Sequence, residues 1–363
     1  MKKLMSLFLV MVMTASLSAC GSSSSGSSSD SGSASGSDSA AAGTTDTADG
    51  NQYDKVNLTL AHGVSETTTM GQAVIYLKSI LEERSNGAVT MDIYPNQQLG
   101  GDREYTEACT QGNVSMAMPS TTPVASFVPE FYVFDSPWIF NDRDAVYAAL
   151  DSEAGQNMLP YLESANLKGL GYFENGLRHM TSSKEINSME DLKGLKIRVM
   201  ENDVQLAFWK AEGTNPTPMA FGEVYTALQQ KTVDAQENPM ELIYTNKFYE
   251  VQPYVYLTGH IYTAYVLEMN LQLWNSLNTA TQDLIQTCVN EAIQKNRDLA
   301  VAAEQECIDA INASGVSQCI EVSDELKQQM AQACKDAGVY DKVRELAGDE
   351  VTNAFYAAIG FEG

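Results

Sequence analysis

Arg198 lies in the run Leu195-Lys196-Ile197-Arg198-Val199-Met200, and an arginine inside a strand-like apolar run has to find an anion. The period of two puts Leu195, Ile197 and Val199 on one face and Arg198 on the other. Strands of a parallel sheet are covered on both faces, so the guanidinium there loses water and needs a negative partner. Its five donors form a planar fork that matches a carboxylate. Either a structural salt bridge or the anchor for a bound carboxylate meets that need. Asn238 follows the strand expected over Val233–Gln236 and precedes Pro239, so its amide either donates to an anion beside a helix N-terminus or caps the helix. Arg178 follows the turn-prone Asn175-Gly176-Leu177, and on its own reads as a solvated arginine.

Alternating strands and helices must position these groups. The patterning predicts strands at Val56–Ala61, Val89–Tyr94 and Ser115–Pro119, with helices at Met70–Ser85 and Arg103–Thr110 between them. A second series follows: a short helix capped by Ser188 and stopped at Gly194, the strand Leu195–Met200, helix Asp203–Glu212, strand Thr217–Met219, helix Gly222–Gln230 and strand Val233–Gln236. This alternation implies parallel βαβ units and two α/β lobes. Thr281–Ser314 lacks glycine and proline and carries apolar residues at helical spacing, so it forms one bridging helix or two helices broken near Asn296.

The N-terminus gives an address. Lys2 and Lys3 precede an apolar run that ends at Leu17-Ser18-Ala19-Cys20, a secretory signal too short to span a bilayer. The tetrapeptide resembles a bacterial lipobox, which implies removal of residues 1–19 and lipidation of Cys20. Residues 20–50 are almost wholly Ser, Gly, Ala, Asp and Thr, a flexible tether with a span of roughly 30 Å. The expected location is extracytoplasmic, anchored to the outer face of the cytoplasmic membrane, or periplasmic where the host has an outer membrane.

The net charge of -25 argues against nucleic acid as a partner. Three histidines, with no GxSxG elbow, P-loop, dinucleotide fingerprint or HExxH pair, argue against an enzyme. No cysteine–histidine cluster has zinc spacing, and neither a metal nor a cofactor is expected. Beyond Cys20, Cys109, Cys288, Cys307, Cys319 and Cys334 are either partly disulfide-bonded or free buried thiols.

The ordered segments LGGDRE (99–104), FVPEFYVFDSPWIF (127–140), ENGLRHMTSSKEI (174–186), DLKGLKIRV (191–199), TNPTPMAFGEVYTALQQ (214–230), VDAQENP (233–239) and KFYEVQPYVYLTGHIY (247–262) resemble the DctP-type solute receptors of tripartite ATP-independent periplasmic (TRAP) transporters. The resemblance runs from about Asn57 to the C-terminus. It implies a two-lobed α/β fold of the periplasmic-binding-protein kind, with a long helix bridging the lobes, crossing strands and a ligand cleft that closes by a hinge. Lobe I would comprise 51–175 plus about 264–303, and lobe II 176–263 plus about 304–363. In that family the arginine matching Arg198 makes the main salt bridge to a substrate carboxylate, and residues matching Arg178 and Asn238 assist it. Phe221 matches an aromatic of the cleft, though it also reads as a core residue. Specificity is expected in His62 and Glu66 after the first strand, in Ser120 and Thr121, and in Glu174. Polar residues there favour a hydroxylated acid, and Ser120 stands where sialate receptors carry an acidic residue. The implied role is capture of a small carboxylate, a sugar acid such as a uronate or aldonate, by a monomer that delivers it to TRAP membrane subunits. A sensing or scaffold lipoprotein of the same fold is the alternative.

Overall fold

The computed structural model describes residues 52–140 and 142–362. Cys20 and the tether therefore lie outside the described residues. Ten strands, β1 (Val56–His62), β2 (Val89–Tyr94), β3 (Met116–Met118), β4 (Leu167–Ser182), β5 (Lys196–Val199), β6 (Asn215–Pro218), β7 (Ala235–Pro239), β8 (Tyr254–Leu257), β9 (Tyr262–Asn270) and β10 (Gln318–Glu321), form one continuous sheet. Its order is β2-β1-β3-β9-β4-β7-β5-β6, with β8 joined to β4 and β10. The βαβ alternation predicts the parallel groups β2-β1-β3 and β7-β5-β6, and both are present. Between them, β9 and β4 run antiparallel.

β4 makes the two groups one body. Its first part, Leu167–Leu177, pairs with β9, and its last five residues, Arg178–Ser182, pair with β7. The pairing changes hands at Arg178, so the arginine sits where the two halves of the sheet meet. The helix Thr279–Ser314 spans the same join on the outside. At 1.5 Å per residue its 36 residues extend about 54 Å. Its N-terminal part buries Leu284, Ile285, Cys288, Val289 and Ala292 in the core shared with β1, β2 and the helix Thr69–Arg84. Its C-terminal part buries Cys307 and Ile311 in a separate core with Val224, Leu228, Ile243 and Val255. Each fully buried aliphatic side chain contributes about 1.5–3 kcal/mol, so both halves hold the helix.

Of the two forms the sequence allows for this segment, the structure has the unbroken helix. Asn296, the suspected break, is fully buried within it and serves the sheet. The β4–β9 register slips between Glu174 and Gly176, and at that irregularity the Glu174 N–H leaves the ladder and donates to Asn296 Oδ1 at 2.5 Å. A second slip lies between Gly169 and Gly171. Gly171 has φ +150°, and a Cβ there would come within 2.5 Å of Ile293 Cδ1, so the strand touches the helix only because no side chain intervenes.

Two boundaries differ from expectation. Asn238 is the penultimate residue of β7, because the last strand residues continue the pairing with β4 up to Pro239. The helix expected from Gly222 starts as a 3-10 turn, Phe221–Glu223, and becomes α-helical over Val224–Gln229. The five cysteines of the described residues are free thiols, four of them buried. No helix among the described residues is long and apolar enough to cross a membrane.

Replacing Asn296 by Leu is expected to lower the unfolding free energy by about 1–3 kcal/mol in urea titrations, because the buried Glu174 N–H then has no acceptor. An unchanged midpoint would mean that the bulge finds another acceptor.

Candidate functional site

A cavity of about 60 Å³ opens where the two halves of the sheet face each other. That is several times the roughly 10–15 Å³ a cavity needs to hold a single water. Gly63, Val64, Asp102, Ser120 and Tyr265 line it from the β1–β3–β9 side, and Arg198, Met200, Met219, Phe221, Asn238 and Leu242 from the β5–β7 side. Asn175 and Arg178 line it at the crossing, and the charged residues Arg103, Glu104 and Glu201 also contribute to the wall.

The two arginines differ in what they already hold. Arg178 is opposite Pro239 in the β4–β7 ladder, and Glu237 is its diagonal neighbour, within reach of a long side chain. Arg178 Nε donates to Glu237 Oε2 at 2.5 Å and Nη2 to Oε1 at 2.9 Å, to the Glu237 carbonyl at 2.7 Å and to Asn238 Oδ1 at 3.0 Å. Only Nη1 keeps spare capacity, with one long contact of 3.4 Å to Thr263 Oγ1. Burial pushes the Glu237 carboxyl up, but Arg178 and His260 outweigh it and hold the group at about 2. His260 Nε2 stands 3.3 Å from Glu237 Oε2, and the ring is packed against Phe208, Trp209 and Trp138.

Arg198 is equally buried, at 2 % exposure, but it is not neutralised. Its Nε and Nη2 donate to the same acceptor, the carbonyl of Met219, at 2.9 and 2.7 Å. Its Nη1 has no partner among the described residues. A neutral carbonyl orients the fork without compensating its charge. Burial draws the group down to about 10, Glu237 pulls it back up and Arg178 pushes it down, so it stays cationic at neutral pH. A buried cation without a counter-ion is costly by several kcal/mol unless something else supplies the anion.

The sequence-selected residues divide between the cavity and its surroundings. Arg198, Arg178, Asn238, Phe221 and Ser120 line it. Asn238 holds itself between Arg178 and Gln236 Oε1, to which its Nδ2 donates at 2.5 Å. Phe221 packs edge-on against Phe248 at 5.9 Å and bridges two hydrophobic cores while remaining half-buried. Ser120 is buried with its Oγ unpartnered, and its N–H donates to Asp102 Oδ2 at 3.0 Å.

His62, Thr121, Glu66 and Glu174 lie outside the cavity wall. His62 is fully buried at the end of β1, where burial lowers its pKa to about 4, and the wall is formed by the next residues, Gly63 and Val64. Thr121 is fully buried at the start of the short helix Thr121–Val124. Glu66 is exposed in the turn before the helix Thr69–Arg84. Glu174 faces the long helix side, held by Tyr262 and by Arg143 Nε at 3.0 Å.

Asp102 is the main residue that selection from sequence passed over. As the first residue of the helix Asp102–Thr110 it has the form of an ordinary helix-start acid. In the fold it closes the cavity opposite Arg198, with Oδ1 accepting from Tyr105 at 2.6 Å and Oδ2 from the Ser120 N–H. Burial raises its pKa, against the lowering effect of those hydrogen bonds and of Arg198. The signal in the sequence is the segment LGGDRE, which carries the resemblance and contains Asp102.

The depressed Glu237 carboxyl ties stability to acid. A folded-state pKa of about 2 against an ordinary 4.5 contributes stability above pH 4.5 that is lost as pH falls through 2. Urea unfolding followed between pH 2 and 5 is expected to show a smaller slope for Glu237→Gln than for the native chain. An equal slope would remove Glu237 from the acid response.

This geometry has close counterparts. Residues 60–345 match the model of the bacterial extracellular solute-binding protein family 7, DctP. The chain is 31 % identical over 306 residues to the C4-dicarboxylate-binding periplasmic protein DctP of Rhodobacter capsulatus, covering 84 % of this chain and 91 % of that protein. The crystal structure of the sugar acid binding protein DctPAm from Advenella mimigardefordensis in complex with galactonate superposes with a TM-score of 0.81 at 30 % identity, over 85 % of this chain and 98 % of that one. A TRAP periplasmic solute binding protein from Shewanella oneidensis with bound succinate gives 0.80 at 33 % identity, over 84 % and 99 %. Such neighbours are two-lobed binding proteins rather than enzymes. By sequence and by fold, the chain belongs to the DctP family of extracellular solute-binding proteins.

Proposed function

We propose that the chain captures a small organic acid between two lobes, with Arg198 as the anchor of its carboxylate, and hands it to the membrane subunits of a TRAP transporter. The observation that carries this reading is the unpartnered Nη1 of Arg198 on the wall of the cavity. The fork is buried, oriented by Met219 and lacks an anion, whereas Arg178 beside it is already bound to Glu237. Arg178 therefore acts through Nη1, whose one contact is the long one to Thr263, and by holding Asn238 in place. Lipidation of Cys20 would keep the receptor near its transporter, and the lobes would be 51–175 plus about 264–303, and 176–263 plus about 304–363.

A sugar acid is the favoured substrate class. Opposite Arg198 the cavity offers the free Oγ of Ser120 and the carboxyl of Asp102, with Glu104 and Glu201 also on the wall. These groups accept hydrogen bonds from hydroxyls, and the three acids disfavour a second carboxylate, although Arg103 on the same wall is a cation. The galactonate complex of a relative supports this choice, and the succinate complex of another marks the competitor.

Thermal melting of the full chain with D-galactonate, D-galacturonate, D-glucuronate, D-erythronate, orotate and succinate tests both statements. A ligand at 100 times its Kd adds about 2.7 kcal/mol and should raise Tm by about 4 °C. Arg198→Ala is expected to lose at least about 100-fold in affinity. Without ligand the variant should melt no lower than the native chain, because an uncompensated buried charge has been removed. Full affinity in Arg198→Ala would overturn the anchor, a shift with succinate alone would overturn the substrate class, and no shift with any acid would count against the receptor.

A further inference from the structure

The two walls of the cavity also touch each other, through residues that the capture chemistry does not use. Glu241 follows Asn238 and Pro239 in the short helix Met240–Thr245, on the β5–β7 side. Its Oε1 accepts from the Thr69 N–H at 2.8 Å, and its Oε2 from Thr69 Oγ1 at 2.9 Å. Thr69 opens the 16-residue helix Thr69–Arg84 that follows β1, on the opposite side. A carboxylate on the first turn of a helix meets unsatisfied N–H groups and the positive end of the helix dipole. Leu242, the residue after Glu241, lines the cavity, so the contact is continuous with the wall.

A second contact lies elsewhere on the rim. A Cβ on Gly222 would stand 2.8 Å from Gln97 Oε1, and the Gln97 side chain also lies 3.8 Å from would-be Cβ atoms on Gly63 and Gly101. Three glycines from three segments thus leave room for one amide. Gln97 has φ +59° and Asn96 +53°, an unusual pair that turns the loop toward Gly222.

We propose that Glu241 is a positioning residue for closure: its paired hydrogen bonds to Thr69 hold the two walls together and set how long a bound acid stays. The inference rests on the receptor reading above. The Glu241–Thr69 bond stabilises the closed form whether or not ligand is present, and apparent affinity scales with the fraction of receptor that is competent to hold ligand. Its loss should therefore act on release more than on encounter.

Hydrogen exchange on the ligand-free full chain tests the clasp without a ligand. In Glu241→Gln and in Thr69→Val, amides of the 95–101 loop and of Gly222 to Val224 are expected to exchange about tenfold faster, although none of them bonds to Glu241 or Thr69. Thr69→Ser, which keeps the hydroxyl, should match the native chain. A change confined to the first turn of the Thr69–Arg84 helix would overturn the proposal. Stopped-flow tryptophan fluorescence with D-galactonate adds the kinetic readout. Each variant is expected to raise the dissociation rate about tenfold, the double variant little more, and the association rate should move less than about threefold. Unchanged dissociation, or strictly additive effects, would also overturn it. If D-galactonate does not bind the native chain, the kinetics use whichever acid of the melting panel does, and the exchange comparison still decides the clasp.

Discussion

Two buried arginines face one cavity, and their unequal pairing organises the site. Arg178 and Glu237 form a closed pair with both carboxylate oxygens engaged, so their charges cancel and their geometry is rigid. Arg198, held by a single carbonyl, retains its charge. Had both arginines been paired with acids, the cavity would be an ordinary polar interior. Had neither been paired, two adjacent buried cations would repel each other and strongly oppose folding. The arrangement in the structure keeps one cation available and makes the other part of the frame that aims it.

That frame depends on strands shared between the two halves of the sheet. Arg178 lies on β4 at the residue where pairing passes from β9 to β7, so the position of the pair is set by both halves at once. The long helix reinforces the join from outside, with Gly171 admitting Ile293 and Asn296 taking up the N–H that the bulge releases. Bulges weaken a ladder locally and permit bending. Here the two irregularities occur in the strand that crosses between halves.

How much of this could be read from sequence depended on the kind of constraint each residue obeys. Arg198 was legible because alternation in a strand fixes which way a side chain points, and a charged residue on a covered face demands an explanation. The βαβ alternation likewise exposed both parallel groups of strands. The long helix was legible from the helical spacing and length of Thr281–Ser314, and the resemblance added crossing strands, but the antiparallel pairing of β4 with β9 follows from no local periodicity. His62 and Glu66 show the limit of position-based reasoning: lying after a strand places a residue near a cleft, yet the backbone of the turn directs one into the core and the other to solvent. Asp102 was hidden because an acid at a helix start already has a local reason to be there. The carbonyl of Met219 carries no residue-type signal, although it is the group that orients Arg198.

Affinity in such a receptor comes from two sources that sequence separates poorly. One is the contact between ligand and cavity, which in the proposed receptor would be a charge-assisted hydrogen bond strengthened by the low dielectric around a buried guanidinium. The other is the energy of bringing the walls together. In the proposed receptor the uncompensated Arg198 would oppose closure by its desolvation, and an arriving carboxylate would remove that opposition. The Glu241–Thr69 contact works in the other direction, favouring closure with the protein's own groups. Opposed contributions of this kind would keep an empty receptor from closing permanently while letting a correctly charged ligand tip the balance, because a ligand can shift an equilibrium only by as much as its affinity differs between the two states.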